Sequence, residues 1–215
     1  VTPIISWFAT STGGATIQSS SVTSSTYTTP SISTTTTYYA QENVMVGMDV
    51  TTANSNSTAT NRDLTFDVYS TFTLNSVDIR FRKSSNTVGV ITGVIQNSSG
   101  TTLHTFTANA AGNNGTIAIV TANVNYTLAP GTNYRIVLSA RTNVDRLYTT
   151  NGIAAASHFG YGAITGGYAN ENYNYFYNWN VTGARVGALA SVLTSVSPSV
   201  SIASSDNDNT FCGGT

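Results

Sequence analysis

Apolar side chains recur at every second residue along Leu64, Phe66 and Val68, and again along Val77, Ile79 and Phe81 beyond a break at Asn75-Ser76. A spacing of two places such side chains on one face of a pleated strand, whereas a helix needs a spacing of three to four. No stretch of the chain holds a convincing helical period. The pattern therefore confines the chain to sheet that packs one face into a core. Gly93-Val94-Ile95-Gln96 and Thr102-Leu103-His104-Thr105-Phe106 flank Asn97-Ser98-Ser99-Gly100, which predicts a hairpin with a four-residue loop ending in glycine. Ile117-Ala118-Ile119-Val120 and Tyr126-Thr127-Leu128 lead to the turn Pro130-Gly131, and Tyr134-Arg135-Ile136-Val137-Leu138 follows as another strand. Strands recurring this way over residues 41–183 predict a jelly-roll-like antiparallel β-sandwich of about eight strands.

Composition agrees with that class and removes several functions. Charged residues are 8% of the chain, against about 25% in ordinary domains. Lys83 is the single lysine, Glu42 and Glu171 are the only glutamates, and the net charge is −1. With 40% apolar residues the chain is too hydrophobic and too weakly charged for a disordered one. Nucleic-acid binding calls for clustered lysine and arginine, and there is no basic run. No apolar stretch approaches the ~20 residues of a membrane-spanning helix.

The flanks differ from the middle. Residues 1–40 have the pattern of three short strands, with Ile4, Trp7 and Phe8 in the first and Gly13-Gly14 at a turn. They are expected to be the later strands of a small sandwich domain. Residues 184–215 are expected to hold a connecting strand and the opening strand of a further sandwich domain; Ala188-Leu189-Ala190 also has helical propensity. Half-domains at both ends lead to the expectation of one period in a linear array. The ends are completed either within one covalent chain or by strand donation between chains.

Candidate sites each carry two readings. Tyr173, Tyr175, Tyr177 and Trp179 alternate on one face, with Asn172, Asn174, Asn178, Asn180 and Phe176 on the other. Such rings either stack on sugars or fill the sandwich core. Tyr161 and Tyr168, in glycine-rich segments, are candidates for an exposed glycan platform or simply mark tight turns. Arg141, Asp145 and Arg146 offer a guanidinium fork for an acidic sugar, or an ordinary surface ion pair. Asp206 and Asp208 have the spacing of Ca²⁺ ligands at a domain junction, or of an Asx turn; no other cofactor is suggested. Cys212, the only cysteine, pairs with a residue outside this sequence or serves as a small apolar side chain. His104 and His158 stand in no metal-ligand spacing, and neither a Gly-x-Ser-x-Gly elbow nor a phosphate-binding loop occurs. The expectation is a non-catalytic protein.

Ile5-Ser6-Trp7-Phe8-Ala9-Thr10-Ser11-Thr12-Gly13-Gly14, with Tyr27-Thr28-Thr29-Pro30-Ser31-Ile32-Ser33 and the threonine run into Tyr38-Tyr39, resembles the Ig-like modules of large secreted Bacteroidetes proteins. These include gliding-motility surface adhesins and multi-modular hydrolases. Ser204-Ser205-Asp206-Asn207-Asp208-Asn209-Thr210-Phe211-Cys212-Gly213-Gly214-Thr215 is similar to the opening strand of such a module. The middle, with Leu64-Thr65-Phe66-Asp67-Val68 and Tyr175-Phe176-Tyr177-Asn178-Trp179, resembles an interspersed β-sandwich module. The resemblance implies that residues 1–40 are the C-terminal strands of an Ig-like domain and that 184–215 hold a connecting strand and the first strand of a further one. It also implies a repeat segment of an extracellular adhesin or filament, or a carbohydrate-binding accessory module of a secreted hydrolase. Its partners would be neighbouring copies and polysaccharide surfaces. Gly183-Ala184-Arg185-Val186-Gly187-Ala188 departs from it, because a cysteine to pair with Cys212 is missing there.

Overall fold

A computed structural model describes residues 3–21, 26–151, 157–167 and 172–190. The chain opens with β1 (Ile4–Phe8), β2 (Thr16–Ser21), β3 (Thr36–Val46), β4 (Ser55–Ser57) and β5 (Asp63–Val68). It continues with β6 (Phe72–Lys83), β7 (Gly89–Gln96), β8 (Thr102–Ala110), β9 (Ile117–Leu128), β10 (Gly131–Thr142) and β11 (Val144–Asn151). The last described strands are β12 (Ser157–Phe159), β13 (Gly162–Gly167), β14 (Asn172–Asn174), β15 (Tyr177–Gly183) and β16 (Val186–Ala190). A 3-10 turn at Val50–Thr52 is the one helical element among the described residues. No helix there is long and apolar enough to cross a membrane.

The strands form two antiparallel sheets packed face to face, the all-β sandwich that the alternation predicts. The larger runs β14-β11-β6-β15-β3-β1-β2, with β9 along the remaining edge of β6, β4 on β11 and β16 on β3. The smaller runs β12-β13-β5-β10-β7-β8. From β5 to β11 the chain passes repeatedly between the sheets, with β5, β7, β8 and β10 in one and β6, β9 and β11 in the other. This traffic gives the sandwich its jelly-roll-like character. The predicted hairpin joins β7 to β8. Gly100 takes a φ of 82° in its loop, and the Asn97 carboxamide oxygen accepts from the Ser99 and Thr101 backbone amides at 3.1 and 2.9 Å.

The core is built from the alternating side chains. Leu64 and Phe66 of β5, Leu74, Val77, Ile79 and Phe81 of β6, Ile95 of β7 and Ile136 and Leu138 of β10 are all buried. Each such side chain stabilises the fold by roughly 1.5–3 kcal/mol through apolar burial. The break expected at Asn75-Ser76 is a bulge within one continuous strand. Leu74 and Val77 both point inward, two outward residues stand between them, and the register with β9 slips there.

β3 ties the flanking strands to the sandwich. β16 pairs with its residues 36–40 and β15 with 43–46, so the two share one edge. β1 occupies the other edge opposite residues 39–43. The boundary expected after residue 40 thus falls inside an unbroken strand, and β1 and β2 belong to the larger sheet. Val186–Ala190 is a strand, not the helical alternative. Trp7 and Tyr27 stack with ring centroids 5.9 Å apart, and Tyr27 meets Tyr38 at a tilt with centroids 5.1 Å apart. Arg185 lies 3.5 Å over the Phe8 ring and donates to the Thr10 and Gly13 carbonyls at 2.9 and 2.6 Å.

Candidate functional site: a neutral hydrogen-bonding face

The aromatic run is core. Trp179 and Tyr175 have no exposed surface, so neither ring offers a face to an external sugar. Trp179 meets Phe66 edge-on at 5.0 Å, and its indole N–H donates to the Phe176 carbonyl at 2.8 Å. Two details differ from the expected alternation. Tyr175 adopts a φ of 61°, an uncommon conformation for a bulky residue, and it separates β14 from β15. As a result Asn174 and Phe176, expected on the solvent face, are also fully buried. The hydroxyls are placed with the rings: Tyr175 donates to the Ala59 carbonyl at 2.9 Å, and Tyr177 to the Tyr173 carbonyl at 3.2 Å. Burial pushes the Tyr173 and Tyr175 hydroxyls above their ordinary pKa and raises that of Tyr177 to about 12.

Tyr161 is half-buried rather than displayed on a loop. Its ring lies against Gly183, and its hydroxyl donates to Glu42 Oε2 at 2.8 Å. Burial, reinforced by the Glu42 carboxylate, pushes this hydroxyl's pKa upward. A methyl group on Gly183 would stand 2.2 Å from the Tyr161 ring. Gly183→Ala must therefore displace the ring and break the Glu42 hydrogen bond. Overpacking of this kind costs about 1–3 kcal/mol. The expected result is a lower thermal midpoint, and an unchanged one would show that Tyr161 does not pack here.

Arg141 holds strands together. Its guanidinium donates to the Val144 carbonyl and, at 2.6 Å, to the Thr58 carbonyl. Asp145 faces Arg82 and Arg146 at 3.8 and 3.9 Å, as an ion pair at the surface. Tyr168, Asp206, Asp208 and Cys212 lie outside the described residues.

The arrangement that sequence reasoning missed lies on the outer face of the larger sheet. Asn43 on β3 donates through its side-chain amide to Asn180 Oδ1 and Thr182 Oγ1 of β15, at 2.7 and 2.8 Å. From the opposite side, Asn75 on β6 donates to the same two oxygens at 2.9 and 2.6 Å. Asn75 follows the inward Leu74 and so faces outward, and the bulge adds Ser76 beside it. Neighbouring contacts continue the pattern, with Thr73 and Thr127 hydroxyls 2.9 Å apart. Thr121 and Asn178 donate to the two oxygens of Asp78 at 2.7 and 2.9 Å. Cross-strand pairs of this kind steady a sheet by about 0.2–1 kcal/mol each. Here they also fix the direction of every amide.

The bonding leaves a defined set of groups free. Each amine of Asn43 and Asn75 has both hydrogens engaged, so their carbonyl oxygens remain as acceptors. Asn180 Oδ1 is doubly occupied, which leaves its two N–H groups as donors, and the Thr182 hydroxyl hydrogen is a further donor. All four side chains are half-buried, and among the described residues none of these remaining groups has a protein partner. Asn180 was legible as a solvent-facing residue of an alternating strand. Its partners were not, because they stand 137 and 105 residues away.

Comparison with known proteins finds no matching family model, no similar curated protein and no similar solved structure.

Proposed function

We propose that the chain is a non-catalytic, structural and adhesive repeat segment of a very large, secreted bacterial cell-surface adhesin or extracellular filament, of the kind that Bacteroidetes use in gliding motility. The observation that carries this reading is the patch of Asn43, Asn75, Asn180 and Thr182 on the larger sheet, a set of prearranged amide and hydroxyl groups that carry no formal charge. A surface of this type makes many weak hydrogen-bonded contacts without requiring a countercharge. Repetition along a polypeptide raises the avidity of such contacts by orders of magnitude over one copy. The sandwich beneath supplies rigidity, since its aromatic core fixes both sheets. The same face also suits a carbohydrate-binding accessory module of a secreted hydrolase, which is the second reading.

Antibodies raised against the chain test the proposal on intact source cells and on denaturing gels. Labelling of the cell exterior is expected, together with a native polypeptide many times the 22.5 kDa of this sequence. Labelling confined to the cell interior would overturn it. A surface-released polypeptide that co-purifies with glycoside-hydrolase activity would favour the second reading.

A further inference from the structure

We propose that Asn43, Asn75, Asn180 and Thr182 form a binding site for neutral polysaccharide. The inference deepens the adhesive reading and rests on it, by naming the site and the ligand class of the contact.

The argument starts from the free groups. The outward Asn180 amine and Thr182 hydroxyl supply donors, and the Asn43 and Asn75 carbonyls supply acceptors on either side. Asn43 and Asn75 stand on strands separated by β15, their backbones about 10 Å apart at the usual strand spacing, and their side-chain amides converge over β15 on the same two oxygens. Sugar hydroxyls are donors and acceptors at once, so a run of them along a polysaccharide meets both kinds of group. The four side chains are locked before any ligand arrives, because each is held by its neighbours. Binding therefore immobilises little, which reduces the ordering cost that usually weakens polar recognition.

Charge selects within the class. No cation belongs to the site, and the nearest charged member of the network is Asp78, whose two oxygens already accept from Thr121 and Asn178. An anionic polysaccharide would find no cation among these four side chains and would meet that carboxylate; the arginines of the same face, Arg80 and Arg82, stand farther along β6. A neutral one loses nothing. Retention should accordingly vary little with ionic strength, unlike recognition by charge pairs.

The test uses the whole chain and insoluble neutral polysaccharides (cellulose, curdlan, starch and agarose), with alginate beads as the anionic comparison. Retention on at least one neutral matrix, undiminished in high salt, is expected; retention on none of them, or on alginate alone, overturns the proposal. Asn180→Asp keeps the oxygen that accepts from Asn43 and Asn75 but removes the outward N–H donors. It should leave the thermal midpoint within a few degrees and weaken retention about tenfold, which corresponds to about 1.4 kcal/mol. Asn109→Asp on the outer face of β8 makes the same charge change away from the site and should bind as wild type does. A folded Asn180→Asp that binds like wild type overturns the proposal, as does an equal loss in Asn109→Asp.

A measurement on unmodified protein covers the case in which Asn180→Asp does not fold. Titration with cello-, laminari- and malto-oligosaccharides should shift the side-chain amide resonances of Asn43, Asn75 and Asn180; shifts confined to other residues overturn the site. Exterior labelling of cells combined with failed retention removes this site and leaves the adhesive reading standing. Binding at the site without exterior labelling does the reverse.

Discussion

Trp179→Ala is expected to reduce unfolding free energy by about 3–5 kcal/mol, as large-to-small changes of buried aromatics do. Marginal stability of about 5–15 kcal/mol is usual for a domain, so the variant should stand close to unfolding at ambient temperature. Three losses combine in that figure. The indole vacates a fully enclosed site, its edge-on contact with Phe66 disappears, and the Phe176 carbonyl is left without its donor. A buried acceptor without a partner costs about 1–3 kcal/mol by itself. Trp179→Phe keeps much of the ring volume and should fall between wild type and alanine. Denaturant titration reads both variants through the shift in midpoint at constant slope. A change below about 1 kcal/mol for alanine would place the ring outside the core and revive a ligand-stacking role for it.

Raising the pH should unfold the sandwich cooperatively, starting near pH 10 and completing as the buried tyrosines are forced to ionise. The direction follows from the hydroxyls of Tyr173, Tyr175 and Tyr177, whose pKa values burial raises, to about 12 for Tyr177. In the unfolded chain a tyrosine ionises near pH 10. Below that pH both states hold the proton, and the stabilisation associated with the raised value is fully present. Above it the unfolded chain releases protons that the folded one retains, so stability falls as pH climbs through about 12. Phenolate absorbance should therefore rise in two phases, and the second, from the buried set, should coincide with loss of β-sheet circular dichroism. A single smooth titration of all 12 tyrosines with the fold intact would contradict the burial of this set.

Much of the sandwich was legible because its strands obey a local rule. Leu64-Phe66-Val68 and Val77-Ile79-Phe81 alternate without exception, and the hairpin loop Asn97–Gly100 carries its own turn chemistry. The misreadings cluster where a backbone irregularity shifts the period. The bulge at Asn75-Ser76 has the sequence pattern of a break between strands. Ile117–Val120 and Tyr126–Leu128 are the two ends of β9, which continues through Asn125 at a φ of 50°. Tyr175 is the clearest case. Its left-handed backbone turns Phe176 and Asn174 inward, and alternation alone would put them in water. The polar ladder was beyond local reasoning for another reason. Asn43, Asn75 and Asn180 are ordinary strand residues until the order β6-β15-β3 is known, and sheet order is a property of the whole chain.

The shared edge of β3 determines how the two parts of the larger sheet move. Where β15 gives way to β16 the hydrogen-bonded ladder on that side is interrupted, and a sheet cut on both edges at one level would bend there like a hinge. β1 crosses the interruption on the opposite edge, opposite residues 39–43, and so acts as a splint. Gln41 adds a peg at the same level, donating to the Gly183 carbonyl at 3.0 Å. Arg185 then fastens the β1–β2 loop beside it. Torque applied at β1 and β2 is thereby passed to the sandwich instead of being absorbed at the joint, and the polar face keeps its heading when that end of the molecule is turned.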